Sequence, residues 1–218
     1  MKRLGLFIAS IFLSVTLFAQ GNSSAQAKKL LDEVSDKMGA YKNMSIGFNS
    51  TLVNKEAGIT NDPPILGKIT LSGDKYNLEY LGNIFLFDGK QLVVINQEEK
   101  EISISSGDME EEDGFIYPSK LLTFYKEGYN YAMGNLKNYK GRKVQYVDLS
   151  PIDSNSDIVK VQLGIDAKTK HIFKLVQIGS NGAETTFTIT KFKSNQSLSP
   201  SLFSFNKNKY IKQGYIID

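Results

Sequence analysis

The sequence predicts a mainly β protein built around one large antiparallel sheet. Three observations predict it. Apolar residues alternate with a period of two from Met44 almost to the end of the chain. Gly, Asn and Asp interrupt that alternation at short intervals, and one segment alone carries a sustained helical stripe.

The chain has 218 residues. Lys2 and Arg3 form a short basic start, residues 4–18 are apolar or small, and Ala19 precedes the polar run from Gln20 to Ser24. That layout predicts a secretory signal peptide over residues 1–19, with cleavage after Ala19. The apolar run is shorter than the roughly 20 residues a membrane helix needs. Residues 20–218 then form a single domain, exported and free in the periplasm. There is no cysteine, so no disulfide and no lipidation at a cleavage-site cysteine is available, and stability rests on a sizeable core. The formal charge is +3, of which Lys2 and Arg3 carry two, leaving +1. Near-neutral charge with scattered lysines argues against a nucleic-acid surface.

The helical stripe comes first. Ala27, Leu30, Leu31, Val34 and Met38 recur at helical spacing, with Lys28, Lys29, Asp32, Glu33, Asp36 and Lys37 between them. Ser23 or Ser24 caps the start and Gly39 weakens the end. Strands follow over 44–53, 66–71, 75–81, 84–87, 90–96 and 101–105, with Asp88-Gly89 a strong hairpin signal. Residues 107–114 are an acidic loop. Pro118 opens a short helix through Tyr125. Strands resume over 129–136, 142–149, 158–166, 172–178 and 185–192, and a last one falls at 215–217. About eleven strands with two helical pieces either close into a barrel or remain a curved open sheet. Helices lying over the concave side without filling it leave an apolar cavity.

The residues for catalysis are missing. His171 is the lone histidine and falls at a turn-to-strand junction, where an exposed turn role accounts for it. No second histidine or cysteine exists to build a metal cage. Asp88 sits in a tight turn, and Asp148, Asp153 and Asp157 flank a loop, each with a structural reason to be there. The acidic loop lacks the alternating spacing of a calcium site. Neither a Gly-rich phosphate loop nor a nucleophile elbow is present. The reading is a binding protein without metal or cofactor, not an enzyme. With 13 Phe and 11 Tyr, aromatic residues are abundant; some must fill the core, as any one of them can, and a subset is expected to line a cavity. The candidates are Leu78 and Tyr80 on one strand, Phe85 and Phe87 on the next, and Leu121, Leu122 and Phe124 on the short helix.

Four segments, in order, resemble the periplasmic carrier of outer-membrane lipoproteins, the LolA type. They are Gly73 to Tyr80, the Asp88-Gly89-Lys90 hairpin with its strand to Asn96, Pro118 to Leu122, and Phe203-Ser204-Phe205 after Leu198-Ser199-Pro200. The resemblance covers about residues 25–205. It implies an incomplete, half-open antiparallel β-barrel of about eleven strands, with helices as a lid over an apolar cavity. It also implies a function: acyl chains of lipoproteins, released by an inner-membrane ABC-type transporter, travel in that cavity to an outer-membrane acceptor. The carrier is then a monomer. By position, the resemblance makes Leu78 and Tyr80 cavity-strand residues, Leu122 a lid residue and Leu175 a residue of the later sheet. Better-known members have an arginine latching the lid before the third strand. Here the turn reads Gly73-Asp74-Lys75, which gives the latch to Lys75 without arginine's planar fork. The alternative is a related half-barrel that binds periplasmic lipid or acts as a sensor.

Overall fold

The structure is a computed structural model that describes residues 23–60, 62–107 and 123–218. Helix α1 covers residues 23–39. A first meander follows: β1 (Met44–Val53), β2 (Ile65–Ser72), β3 (Lys75–Tyr80), β4 (Asn83–Phe87), β5 (Gln91–Asn96) and β6 (Glu101–Ser106). After a 3₁₀ turn at Phe124–Lys126 comes a second: β7 (Tyr129–Tyr139), β8 (Arg142–Pro151), β9 (Ile158–Asp166), β10 (Ile172–Gly179) and β11 (Glu184–Ser194). The C-terminal segment holds a 3₁₀ turn at Pro200–Phe203, helix α2 (Lys207–Lys212) and β12 (Ile216–Ile217).

All strands join one twelve-stranded sheet in the order β12-β6-β5-β4-β3-β2-β1-β11-β10-β9-β8-β7. The two meanders meet where β1 pairs antiparallel with β11 along its whole length, from Met44 opposite Ser194 to Val53 opposite Glu184. The sheet is open, with β12 and β7 at its edges, so the half-open reading holds and the strand count is twelve rather than eleven. Every pairing is antiparallel except β12 on β6.

Cross-strand partners share a face, and one face is continuously apolar. Met133, Val147, Leu163, Leu175 and Phe187 run in register from β7 to β11 and continue to Ser50 and Ile65. Beside that row lie Phe192, Ile46, Ile69, Leu78, Phe85 and Val94. A third row holds Met44, Leu71, Tyr76, Phe87 and Leu92.

The stripe of α1 packs on this inner face, with Ala27, Leu30, Leu31, Val34 and Met38 all buried in the main core. Each fully buried aliphatic side chain there contributes about 1.5–3 kcal/mol. Polar ties place the helix over the second meander. The Met133 backbone N–H donates to Ser23 Oγ (2.9 Å), and Lys170 pairs with Glu33 (2.8 Å). Tyr125, on the 3₁₀ turn, is buried and donates its hydroxyl to the Leu31 carbonyl (2.9 Å).

The outer face carries its own apolar cluster over β4–β6. There Leu86, Val93, Ile95 and Ile102 form a second core under Phe205, Tyr210, Tyr215 and Ile217 of the C-terminal segment. Asn77 ties that segment down by donating to the Leu202 carbonyl (2.9 Å). Helix α2 has no counterpart in the sequence reading. Of the short helix expected from Pro118, residues up to 122 lie outside the described ones, and so does most of the acidic loop.

Tyr125→Phe removes one buried hydrogen bond and is expected to cost about 1 kcal/mol. Leu31→Ala opens a cavity under α1 and is expected to cost about 2–5 kcal/mol. Urea denaturation of both variants measures the difference.

Candidate functional site

Exposure of the inner face differs between the two ends of the central strands. On β1, Met44 and Ile46 are 6% and 2% exposed, whereas Leu52 is 42% exposed. On β2, Leu71 and Ile69 are each 6% exposed and Ile65 is 43% exposed. The same apolar face is therefore sealed at the Met44 end and open at the Leu52 end.

Three rings frame the open end. Phe48 on β1, Tyr80 on β3 and Phe187 on β11 are all half-buried, and their centroids lie 5.5 Å (Phe48–Tyr80), 5.7 Å (Phe48–Phe187) and 6.3 Å (Tyr80–Phe187) apart. These are ordinary edge and tilted aromatic contacts. Gly67 makes the arrangement possible: Phe48 lies opposite it and its ring covers the position a Cβ would take. Glycine inside a strand marks this kind of close approach. Ile189, half-buried opposite Phe48, and Val94, half-buried opposite Phe85, extend the apolar surface. In the middle of the belt, Ser50 is 2% exposed and its Oγ lies 2.7 Å from the Tyr80 hydroxyl.

The expected residues distribute around this opening. Tyr80 belongs to the ring trio, and Phe85 lies half-buried on the neighbouring strand. Leu78, Phe87 and Leu175 are 4%, 6% and 6% exposed and form the buried floor behind it. Phe124 is half-buried on the 3₁₀ turn, edge-on to Tyr125 and Tyr129, with centroids 5.5 and 5.8 Å away. Leu121 and Leu122 lie outside the described residues. Lys75 is exposed at the start of β3, and its charge helps hold the Asp88 carboxyl low, after the larger effect of backbone N–H donation from Gln91 and Lys90. Phe48, Val94, Phe187 and Ile189 were not among the expected site residues.

His171 departs from an exposed turn role. Its ring stacks on Phe192 with centroids 4.2 Å apart, and Nε2 lies 2.9 Å from the Tyr41 hydroxyl. Burial, then the nearby Lys37 charge, lowers its pKa against the smaller opposing pull of Asp166. It locks the end of α1 to β10.

The carboxylates are occupied structurally. Asp88 accepts from the backbone N–H groups of Lys90 (2.9 Å) and Gln91 (2.8 Å). Asp153 accepts from Asn155 N–H (2.9 Å), and Asp148 from Gln162 (2.7 Å) and Lys160 (2.9 Å). Asp166 borders an open cleft of about 780 Å³ lined by Lys140, Arg142, Lys143 and Lys168. Burial works to raise its pKa, but N–H donation from Thr169 and Lys168 and the Arg142 charge outweigh it and hold the carboxyl low. Among the described residues, no cluster of His, Cys, Asp and Glu could hold a metal ion, and no helix is long and apolar enough to cross a membrane.

The family model described as outer membrane lipoprotein carrier protein LolA matches residues 81–206, more than half of the chain. No curated protein matches it. Among solved structures, an uncharacterized conserved protein from Thermus thermophilus superposes with a TM-score of 0.57 at 11% identity, over 84% of this chain and 96% of that one. A DUF1329 family protein from Desulfovibrio piger gives 0.48 at 9% identity, over 84% and 97%. Mycobacterium tuberculosis lipoprotein LppX gives 0.46 at 14% identity, over 79% and 98%. The first of these establishes a shared fold.

Gly67→Ala forces the Phe48 ring aside and is expected to cost about 1–3 kcal/mol. The cost should shrink when Phe48→Ala is already present, a coupling that a double-mutant cycle in urea would read. For His171, the fold favours the neutral ring, so the unfolded chain takes up a proton first as pH falls through about 6.5. Its contribution is therefore full above that pH and is lost below it. Thermal melts from pH 7.5 to pH 5 should fall more steeply for the native chain than for His171→Gln.

Proposed function

The chain belongs to the family of outer membrane lipoprotein carrier proteins, and on that premise we propose that it is a periplasmic carrier of lipoprotein acyl chains. One observation supports this reading most: the inner apolar face is sealed at one end and open at the other, framed by Phe48, Tyr80 and Phe187. A core that served packing alone has no reason to leave Leu52 and Ile65 at more than 40% exposure on the face that is buried elsewhere. Exposed apolar surface of this kind marks a place where apolar ligand or partner is received.

The mechanism needs no covalent step. An acyl chain entering at the open end loses contact with water over its methylenes, each worth about 0.8 kcal/mol. Leu78, Phe87 and Leu175 form the floor, and Tyr80, Phe85 and Phe124 are the side chains free enough to adjust to a flexible chain. Half-buried rings repack at little cost, which keeps binding reversible and lets the cargo leave. In this reading the inner-membrane ABC-type transporter loads the carrier and an outer-membrane acceptor unloads it. Leu122 forms part of the lid and residues 1–19 direct export; Lys75, opposite Ser72 at the far end of β3 from Tyr80, would hold the lid only at the sealed end of the face.

Native mass spectrometry of protein isolated from the periplasm should find acylated lipoproteins bound. Free lipids without lipoproteins would favour a general lipid carrier or sensor, and an empty protein that takes up no fluorescent acyl probe would sink both readings. Phe187→Glu, which puts a charge beside Phe48 and Tyr80, is expected to lower probe affinity at least tenfold and also to cost stability, so affinity is read under conditions where urea denaturation shows the variant folded.

A further inference from the structure

The open end of the apolar face contains a polar feature that hydrocarbon binding does not require. Ser50 stands in a row of inward-facing residues otherwise apolar along β1: Met44, Ile46, Phe48, Ser50, Leu52. Its cross-strand partners are Phe187 and Ile65, and it is 2% exposed. Burying a hydroxyl in such surroundings is unfavourable unless it is hydrogen-bonded, and Tyr80 supplies the bond at 2.7 Å. The pair forms across β2, made possible by Gly67, which lets the Phe48 ring lie over that strand beside Tyr80.

Two hydroxyls share one hydrogen bond in the pair but carry two O–H groups. Whichever oxygen donates to the other, one O–H is left to point elsewhere. Where Ser50 is the donor, the spare O–H is that of the half-buried Tyr80, and water can accept it when the site is empty. A hydrocarbon chain laid over the trio displaces the water and leaves the donor unmatched. A ligand with a carbonyl oxygen at this point restores the bond. The cross-strand neighbours of Phe48, Ser50 and Tyr80 are Ile189, Gly67, Phe187, Ile65 and Asn83, none of them charged. Lys68, in the wall of the open cleft beside Gly67 and Tyr80, is paired with Glu79 (3.5 Å), so a carboxylate here must compete for that cation, whereas a neutral carbonyl needs none.

We infer that the Ser50–Tyr80 hydroxyl pair donates to the carbonyl oxygen of an ester- or amide-linked acyl chain, and that it makes the site select such chains over alkanes and free fatty acids. This rests on the acyl-binding reading above. It adds to it a polar contact that fixes how deep the chain is inserted, with the linkage held at the rings and the hydrocarbon beyond it.

The test is displacement of a fluorescent acyl probe from the intact protein by three competitors of equal chain length: a methyl ester, the alkane and the free acid at neutral pH. The native protein should prefer the ester roughly tenfold over either, the size expected for one unmatched buried donor. Tyr80→Phe deletes one oxygen and should bring the ester-to-alkane ratio, read within that variant, down to about one. Ser50→Ala is the second variant, checked by its melting temperature. Equal ester-to-alkane ratios in the native protein and Tyr80→Phe, with the probe still bound, overturn the inference and leave acyl binding standing. Failure of the native protein to bind the probe overturns both.

Discussion

The pairing of β1 with β11 is the constraint on which the rest of the structure depends. Each meander is a local affair, built from neighbouring strands joined by tight turns. Neither supplies by itself a face wide enough to carry both a helix and an apolar opening. Ten residues of β1 matched against β11 turn two ribbons into one curved sheet, and they do so with a bulge between Gly47 and Phe48. A bulge increases local twist and bend. It falls immediately before the residue whose ring frames the open end, so the seam of the sheet and the entrance to its concave side are set by the same few residues.

From that seam the two halves divide the work. The second meander holds α1, through Ser23, Glu33, Tyr125 and the Tyr41–His171 contact. The first carries most of the floor, Leu78 and Phe87, and two of the three framing rings, Phe48 and Tyr80. The C-terminal segment closes the outer side of the first meander, which gives β4–β6 a core on both faces. This two-sided burial makes the floor rigid, because Phe87 and Leu86 are each buried on opposite faces of the same short strand. A stiff floor with adjustable rings at its edge suits a ligand that is long, flexible and variable in length.

Much of this was legible in the sequence because the information was local. Strand positions follow from period-two alternation between turns such as Gly73-Asp74 and Asp88-Gly89, and the α1 stripe follows from its helical spacing. The family was legible from the order of a few short segments. What escaped depends on residues far apart. Phe187 and Phe48 meet across the seam, and nothing in either strand alone marks the encounter. His171 reads as a turn residue until Phe192 and Tyr41 are brought to it. Helix α2 is only six residues long and sets a single side chain, Tyr210, on the second core, too little to make a stripe. Gly67 inside a strand and Ser50 in an apolar series take on meaning only once Phe48 and Tyr80 are seen beside them.

An open sheet keeps its concave side accessible at the cost of two free edges, and free edges recruit other strands. Here β12 pairs parallel with Glu101 and Ile102 and occupies part of the β6 edge. At the other end, β7 is bent by a bulge between Met133 and Leu136 and carries Lys137 and Lys140 at its turn. A bent, charged edge is a poor template for a flat incoming strand. The apolar opening on the inner face thus sits between two margins that are poor templates for stacking copies of the chain, and protection against fibre-like pairing falls to the margins, leaving the opening itself free of that duty.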